Sequence, residues 1–289
     1  MISPELKHKL LEAQKDEVTE ATVYRKIAGF IKNEENRKIV MRIAATEEKH
    51  AAIWKSYTKE EVKPDRFKVW LYTNITRFLG LTFGLKLMEK GEHDAIVDYD
   101  KLSEFIPEAL EIKKDEEDHE QQLIGLINDR SLNYLGSIVL GLNDALVELT
   151  GVLAGLTFGL QNGKMIASVG IITGISAAFS MAGSEYLSTK TDGGNIKPVT
   201  ASVYTGIAYI ATVILLILPY LLLSNIYAAL AVCIGTAILI IAAFNYYTSI
   251  AKGYSFRTRF LEMAGISLGV AFISFIVGLI VKQLFNIEV

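Results

Sequence analysis

The chain has 289 residues, of which 51% are hydrophobic, and a formal net charge of −3 at pH 7. That charge gives no reason to expect nucleic-acid binding, which usually requires a basic face. The single cysteine, Cys233, excludes an intrachain disulfide.

The charged residues are distributed unevenly along the chain. Of the 32 acidic residues 26 precede position 134, as do 22 of the 29 lysines and arginines. All four histidines also lie in that first part. We therefore predict an all-α protein with two units, a charged helical one over residues 1–130 and an apolar one over residues 131–289.

The first unit lacks strand signals, and its apolar periodicity predicts four helices. The predicted helices cover residues 4–32, 35–60, 66–102 and 105–129, with a candidate break in the third near Gly80. Four helices of this length predict a four-helix bundle.

Glutamate and histidine recur at three-residue spacing on these helices. The second and fourth each carry a Glu-x-x-His, and the first and third each carry a pair of glutamates three residues apart. Residues three apart share a helix face, and a di-metal carboxylate site in a four-helix bundle uses these elements in this combination. The pattern predicts such a site, with solvated charged faces as the alternative. The predicted ligands are Glu17, Glu20, Glu47, His50, Glu89, Glu92, Glu116 and His119.

On these residues the first unit resembles the ferritin-like, rubrerythrin-type domain. Glu17 precedes Tyr24 by seven residues, as in the first helix of that family. The resemblance implies a di-iron or mixed iron–manganese site in which the two Glu-x-x-His pairs are ligands. Rubrerythrins also carry a cysteine-ligated iron centre. A chain with one cysteine in an apolar run has none, so rubredoxin-coupled peroxidase chemistry is not expected.

The stretch 66–90 is unusually apolar for a helix of a charged unit. Its aromatic residues include Trp70, Tyr72, Phe78 and Phe83, and it is edged by the bases Arg66, Lys68 and Arg77. It is too interrupted to be a sixth membrane span. The composition favours a membrane-surface helix or a subunit contact, and the alternative is ordinary bundle core.

The second unit contains five apolar stretches of about the length that crosses a bilayer. Five spans place the two ends of this unit on opposite sides of the membrane. Five bases lie in the connectors of one side and two on the other. The positive-inside rule then predicts a cytoplasmic N-terminal unit and a C-terminus across the membrane. The predicted spans are 135–160, 165–188, 199–222, 226–249 and 262–284.

Carboxylates interrupt the first two of these spans. Asp144 and Glu148 are four residues apart and share a helix face, as do Met181 and Glu185. Acids inside a membrane cost several kcal/mol unless they face a cavity or a partner, so they are functional candidates. No lysine or arginine lies within the same two spans. A cation from outside the chain is the natural counter-charge, and carboxylate plus thioether favours a transition metal such as Fe²⁺. A buried structural acid, or an interfacial one for Glu185, is the alternative.

On these residues the second unit resembles the vacuolar iron transporter family over roughly residues 134–289. Asn143 and Asp144 match the first two positions of the family's Asn-Asp-Gly motif, and Ala145 replaces its glycine. The second motif, Ser-Met-Gly-x-Gly-Glu-Tyr, is matched at Ser180, Met181, Glu185 and Tyr186. The resemblance implies a dimeric five-helix exporter of Fe²⁺, and often Mn²⁺, with Asp144, Met181 and Glu185 on the translocation path. Glu148 has no match in the motif.

The family's long acidic segment after the second helix is replaced here by "TKTDGGNIKP". In the family that acidic segment collects metal, and in this chain the helical bundle of the first unit would take over that role. The sequence therefore predicts a homodimeric membrane exporter of Fe²⁺, with Mn²⁺ as a further substrate, driven by proton antiport and loaded by the bundle. One alternative is an enzyme, a membrane-anchored ferroxidase or peroxidase with a di-iron site. A second alternative is a sensor whose bundle gates the pore.

Overall fold

A computed structural model describes residues 3–94, 99–103, 105–125, 134–194 and 196–284. These residues form helices and contain no strand, so the predicted all-α class is confirmed. The first unit holds α1 (Pro4–Ala28), α2 (Glu34–Thr58), α3 (Arg66–Leu79), α4 (Leu81–Asp94), α5 (Tyr99–Ser103) and α6 (Ala109–Gly125). The second holds α7 (Leu135–Leu160), α8 (Gly163–Asp192), α9 (Pro198–Leu222), α10 (Ile226–Lys252) and α11 (Phe256–Leu284).

The chain divides into two compact units, residues 1–129 and 130–289. In the first unit, polar side chains at the N-caps begin the helices. Ser3, Asn33 and Asp65 accept backbone N–H groups of the first turns of α1, α2 and α3, which satisfies donors that have no partner inside a helix. Helix α1 packs on α2 and α3, and α6 packs on α2, α4 and α5.

The predicted third helix is divided at Gly80. This residue has φ +97°, a conformation that side-chain-bearing residues rarely adopt. Helix α3 therefore ends at Leu79, and α4 begins again at Leu81.

Two apolar clusters lie in the first unit, one on each side of a polar layer. One cluster includes Tyr24 and Ile43, and the other includes Leu10 and Trp54. Along α1 and α2 the residues between these clusters include the buried Glu17, Glu47 and His50. The buried polar layer is thus enclosed by packed apolar side chains above and below.

The second unit has five helices long and apolar enough to cross a membrane. Their ranges agree with the predicted spans to within a few residues, except that α8 and α11 extend further at one or both ends. Helix α7 is central, because it contacts all four of the other helices. The motif-bearing first span therefore forms the core of the unit.

Glycines allow α7 to approach its neighbours closely. A Cβ at Gly141 would lie 2.3 Å from the carbonyl oxygen of Thr205 on α9. One at Gly278 on α11 would lie 2.4 Å from the carbonyl oxygen of Gly155. Gly265 and Gly269 lie four residues apart on α11, and a Cβ at either would meet nothing within 4 Å among the described residues, so these two positions mediate no close packing within the protomer.

Candidate functional site

The polar layer of the first unit is built from three helices. Glu17 lies on α1, Glu47 and His50 on α2, and Glu116 and His119 on α6. In each Glu-x-x-His the two residues are three apart, so both side chains point to the same side of their helix. We call these five residues the carboxylate–histidine cluster. All are buried except Glu116, which is about one quarter exposed.

Two carboxylates of the cluster each lie between the two imidazoles. Glu47 places Oε2 3.3 Å from Nδ1 of His50 and Oε1 2.9 Å from Nδ1 of His119. Glu116 places Oε1 3.1 Å from Nδ1 of His50 and Oε2 3.6 Å from Nδ1 of His119. The two rings are 6.0 Å apart between centroids. Each carboxylate therefore presents one oxygen to each histidine.

Glu17 joins the cluster on the His50 side. Its Oε2 lies 3.9 Å from Nδ1 of His50, and its Oε1 accepts the indole N–H of Trp54 at 3.1 Å. One ligand atom from each of Glu17, Glu47, His50 and Glu116 lies within 4.8 Å of the other three. The site thus gathers three carboxylates and one imidazole around a common point.

The charges of the cluster compensate one another. Burial would lower the pKa of both histidines, but the adjacent carboxylates of Glu116 and Glu47 outweigh it and raise the pKa to about 11 for His50 and about 9 for His119. Burial likewise opposes ionisation of Glu47, yet the adjacent imidazoles hold its pKa at about 2. The pKa of Glu17 is raised, first by burial and then by the Glu47 carboxylate. The site therefore holds protons on groups that can act as ligands.

The donor geometry fits bound metal ions. Two donor atoms held on one transition-metal ion at about 2.1 Å each lie roughly 3 Å apart, and the carboxylate–imidazole distances in the cluster are 2.9–3.6 Å. Nδ1 of His119 is buried and makes no hydrogen bond of acceptable geometry among the described residues. A carboxylate and imidazole donor set suits iron, manganese and zinc. The donor set of the cluster therefore points to metal ions.

The eight predicted bundle ligands have different outcomes. Four of them form the group within 4.8 Å, and His119 lies beside it. Glu20 is not in that group and is partly exposed. The side chains of Glu89 and Glu92 lie outside the described residues.

Two contacts of the cluster were not anticipated from the sequence. Nε2 of His50 lies 3.2 Å from Oδ2 of Asp115, on the side of the ring away from the cluster. Trp54 donates to Glu17. Asp115 is one of several acids in the run 115–118, and nothing in that run distinguishes it. The Trp54 contact depends on the pairing of α1 with α2.

In the second unit, the acids of α7 and α8 contact polar groups of neighbouring helices. The hydroxyl of Tyr209 on α9, itself fully buried, donates to Oε2 of Glu148 at 2.7 Å. The hydroxyl of Ser137 on α7 donates to Oε1 of Glu185 at 2.5 Å. Asp144 is half-buried, and Met181 packs against the core of the unit. Within the described residues no lysine or arginine forms an ion pair with any of the three acids.

These contacts place the carboxylates at successive levels of one helix face. Ser137, Asp144 and Glu148 are separated by seven and four residues, so they share a face of α7. Glu185 contacts Ser137, so along α7 it lies at the level of Ser137, about 10 Å from Asp144 at 1.5 Å per residue. Glu148 lies about 6 Å beyond Asp144 in the opposite direction. Sequence reasoning found the acids, whereas Ser137 and Tyr209 emerge only from the packing of α7 on α8 and α9.

Comparison with known families supports a membrane transporter domain. The model of the VIT family matches residues 135–195, a segment that includes Asp144, Glu148, Met181 and Glu185. Together with the five apolar helices, this match supports a vacuolar iron transporter type of membrane domain in a multi-pass membrane protein. Comparisons with curated proteins and with solved structures find no match to the chain.

Proposed function

We propose that the protein exports Fe²⁺ from the cytosol, with Mn²⁺ as a second substrate. The observation that carries this proposal is the set of acids on the first two spans, in a segment that matches the VIT family. Asp144, Glu148 and Glu185 lie in membrane helices without a paired lysine or arginine among the described residues. Acids in this setting are retained for function, and a cation is the partner that their charge requires. Met181 adds a thioether that favours a transition metal over Ca²⁺ or Mg²⁺.

The carboxylate–histidine cluster is proposed to capture the exported metal. Glu47 and Glu116 would bridge two cations, His50 and His119 would each supply one nitrogen, and Glu17 would bind on the His50 side. Metal binding requires neutral imidazoles, so loading would release the protons that the metal-free histidines hold. The contact of Asp115 with His50 would keep the other ring nitrogen protonated and leave Nδ1 free as a ligand.

Orientation and coupling complete the proposal. Five bases lie where α8 meets α9 and where α10 meets α11, at the helix ends or between them, against two on the other side, and this asymmetry supports a cytoplasmic N-terminal unit. Protonation of the pathway carboxylates would release metal on the far side, which couples export to a proton gradient. The resemblance to both families suggests a homodimer, in which Asp144 of two protomers doubles the carboxylates at a two-fold axis.

One structural observation favours a second candidate function. The two carboxylates between two imidazoles are suited to a pair of cations, and such a pair could support ferroxidase chemistry. The full-length protein in detergent would then consume O₂ with Fe²⁺ at a steady rate, and reconstituted vesicles would show no metal flux.

Uptake into proteoliposomes tests the main proposal. Vesicles with the purified protein would be offered Fe²⁺, Mn²⁺, Co²⁺ and Zn²⁺, each with and without a pH gradient. We expect Fe²⁺ and Mn²⁺ uptake that increases with an opposing proton gradient. Equal rates in protein-free vesicles, or rates indifferent to the pH gradient, would contradict export and antiport respectively.

A further inference from the structure

Helix α3 exposes an aromatic face in the first unit. Phe67, Trp70 and Phe78 are 67%, 60% and 80% exposed. Spacings of three and eleven residues place all three side chains on the same side of the helix. Phe67 and Trp70 stack with 6.2 Å between ring centroids. Folded proteins rarely leave several large aromatic side chains on one helix face in water unless that face has a partner.

The opposite face of α3 is held by the rest of the unit. Val69 and Thr76 are buried there, and Lys68 is paired with Asp16 of α1 at 2.8 Å. The backbone N–H of the cap residue Asp65 donates a hydrogen bond to Oγ1 of Thr19 on α1. The helix is therefore fixed in orientation, and its aromatic face is directed away from the unit's own core.

The charge of α3 indicates the nature of the missing partner. The helix contains three bases and no acid. Lys68 is paired within the unit, but Arg66 and Arg77 make no ion pair among the described residues. Exposed aromatic rings edged by arginines match the headgroup layer of an anionic membrane, where rings insert at the interface and guanidinium groups bind phosphates.

A bilayer fits this face better than a second copy of the chain does. The protein has five membrane-spanning candidates of its own, so every copy of the first unit is joined in one chain to helices that can enter a bilayer. Two copies meeting through α3 around a two-fold axis would instead bring like charges together.

We propose that the outer face of α3 binds the surface of an anionic bilayer, with Phe67, Trp70 and Phe78 in the headgroup layer and Arg66 and Arg77 on lipid phosphates. This contact would fix the metal-capturing unit at the membrane surface.

Tryptophan quenching in the full-length protein tests the proposal. The sequence has two tryptophans, and Trp54 is fully buried while Trp70 is exposed. The protein would be placed in nanodiscs of phosphatidylcholine, with or without phosphatidylglycerol, containing lipids with a nitroxide quencher near the headgroup. We expect the lipid quencher to reduce Trp70 emission by about two-fold or more in the anionic discs. Trp70→Phe should abolish this quenching and leave Trp54 emission unchanged.

Charge reversal and a water-soluble quencher separate the other outcomes. The double variant Arg66→Glu, Arg77→Glu should lose most of the lipid quenching, as should the wild type in high salt. If acrylamide quenches Trp70 and the lipid quencher does not, the face is free in water and the proposal is wrong. If neither quencher reaches Trp70, protein covers the face, and a second copy is its partner instead of lipid. Unchanged Trp54 emission verifies folding in each variant.

Discussion

Replacing Glu47 with glutamine tests whether the carboxylate–histidine cluster is electrostatically coupled. Glu47 is 1% exposed and lies within 3.3 Å of both imidazoles. Glutamine keeps the shape of the side chain and removes its charge. The variant therefore reports on the attraction between this carboxylate and the two histidines, with little change in packing.

The size of the effect follows from the pKa of Glu47, which is lowered from 4.5 to about 2. At about 1.4 kcal/mol per unit, the charged form gains about 3 kcal/mol over a neutral group in the folded state. Because the folded-state pKa is lowered, this contribution is present above pH 4.5 and disappears as the pH falls through about 2. The raised pKa values of the two histidines act in the other direction. They stabilise the fold below pH 6.5, and this contribution is lost as the pH rises through about 9 for His119 and about 11 for His50.

The assay is urea unfolding of the full chain in detergent with a chelator, followed by Trp54 emission in a Trp70→Phe background. Near pH 6 both histidines are charged, and Glu47→Gln should lower the unfolding free energy by about 3 kcal/mol. The matched control is Glu48→Gln, since Glu48 forms a half-exposed ion pair with Arg25 and should change stability by less than about 1 kcal/mol. Equal stability of the two variants, or a difference that persists undiminished toward pH 2, would refute the reasoning.

Three further predictions concern packing, ligand orientation and the pathway. Gly278→Ala should lower the stability of the second unit by about 1–3 kcal/mol, whereas the control Gly265→Ala should leave it unchanged. Thermal unfolding in detergent measures both, and similar losses of stability would contradict the close approach of the helices at Gly278. Asp115→Asn should weaken metal binding about ten-fold, whereas the control Asp118→Asn, at an exposed position, should not. Anaerobic titration with Fe²⁺ measures both affinities, and equal values would show that Asp115 does not orient His50. Tyr209→Phe should reduce Fe²⁺ flux about two- to ten-fold, because the carboxylate of Glu148 loses its hydrogen bond inside the membrane. An unchanged rate in proteoliposomes would show that Glu148 does not take part in transport.

Regular features of the fold could be predicted because they depend on local sequence. Long apolar stretches fix the five candidate spans, since only helices satisfy their backbone groups in lipid. The break at Gly80 followed from a residue that tolerates positive φ. The predicted third helix, 66–102, corresponds to α3, α4 and α5 in the described residues, and its positions 95–98 lie outside them.

The candidate site could be predicted only where its residues follow a helical spacing. The Glu-x-x-His pairs located Glu47, His50, Glu116 and His119 because three residues make nearly one turn. The same rule suggested Glu20, which lies outside the group, because a spacing along one helix does not say which member faces the neighbouring helix. Asp115, Tyr209 and Ser137 contact site residues through helix packing, which no local pattern encodes.

The central claim is that acids on the first two spans carry the transported cation, and Fe²⁺ flux through Asp144→Asn tests it most directly. The matched control is Asp192→Asn, the same substitution at the exposed end of α8. In proteoliposomes with equal amounts of folded protein, the wild type and the control should take up Fe²⁺ at equal rates, while Asp144→Asn should be slower by about ten-fold or more. Flux through Asp144→Asn at the wild-type rate would contradict the account.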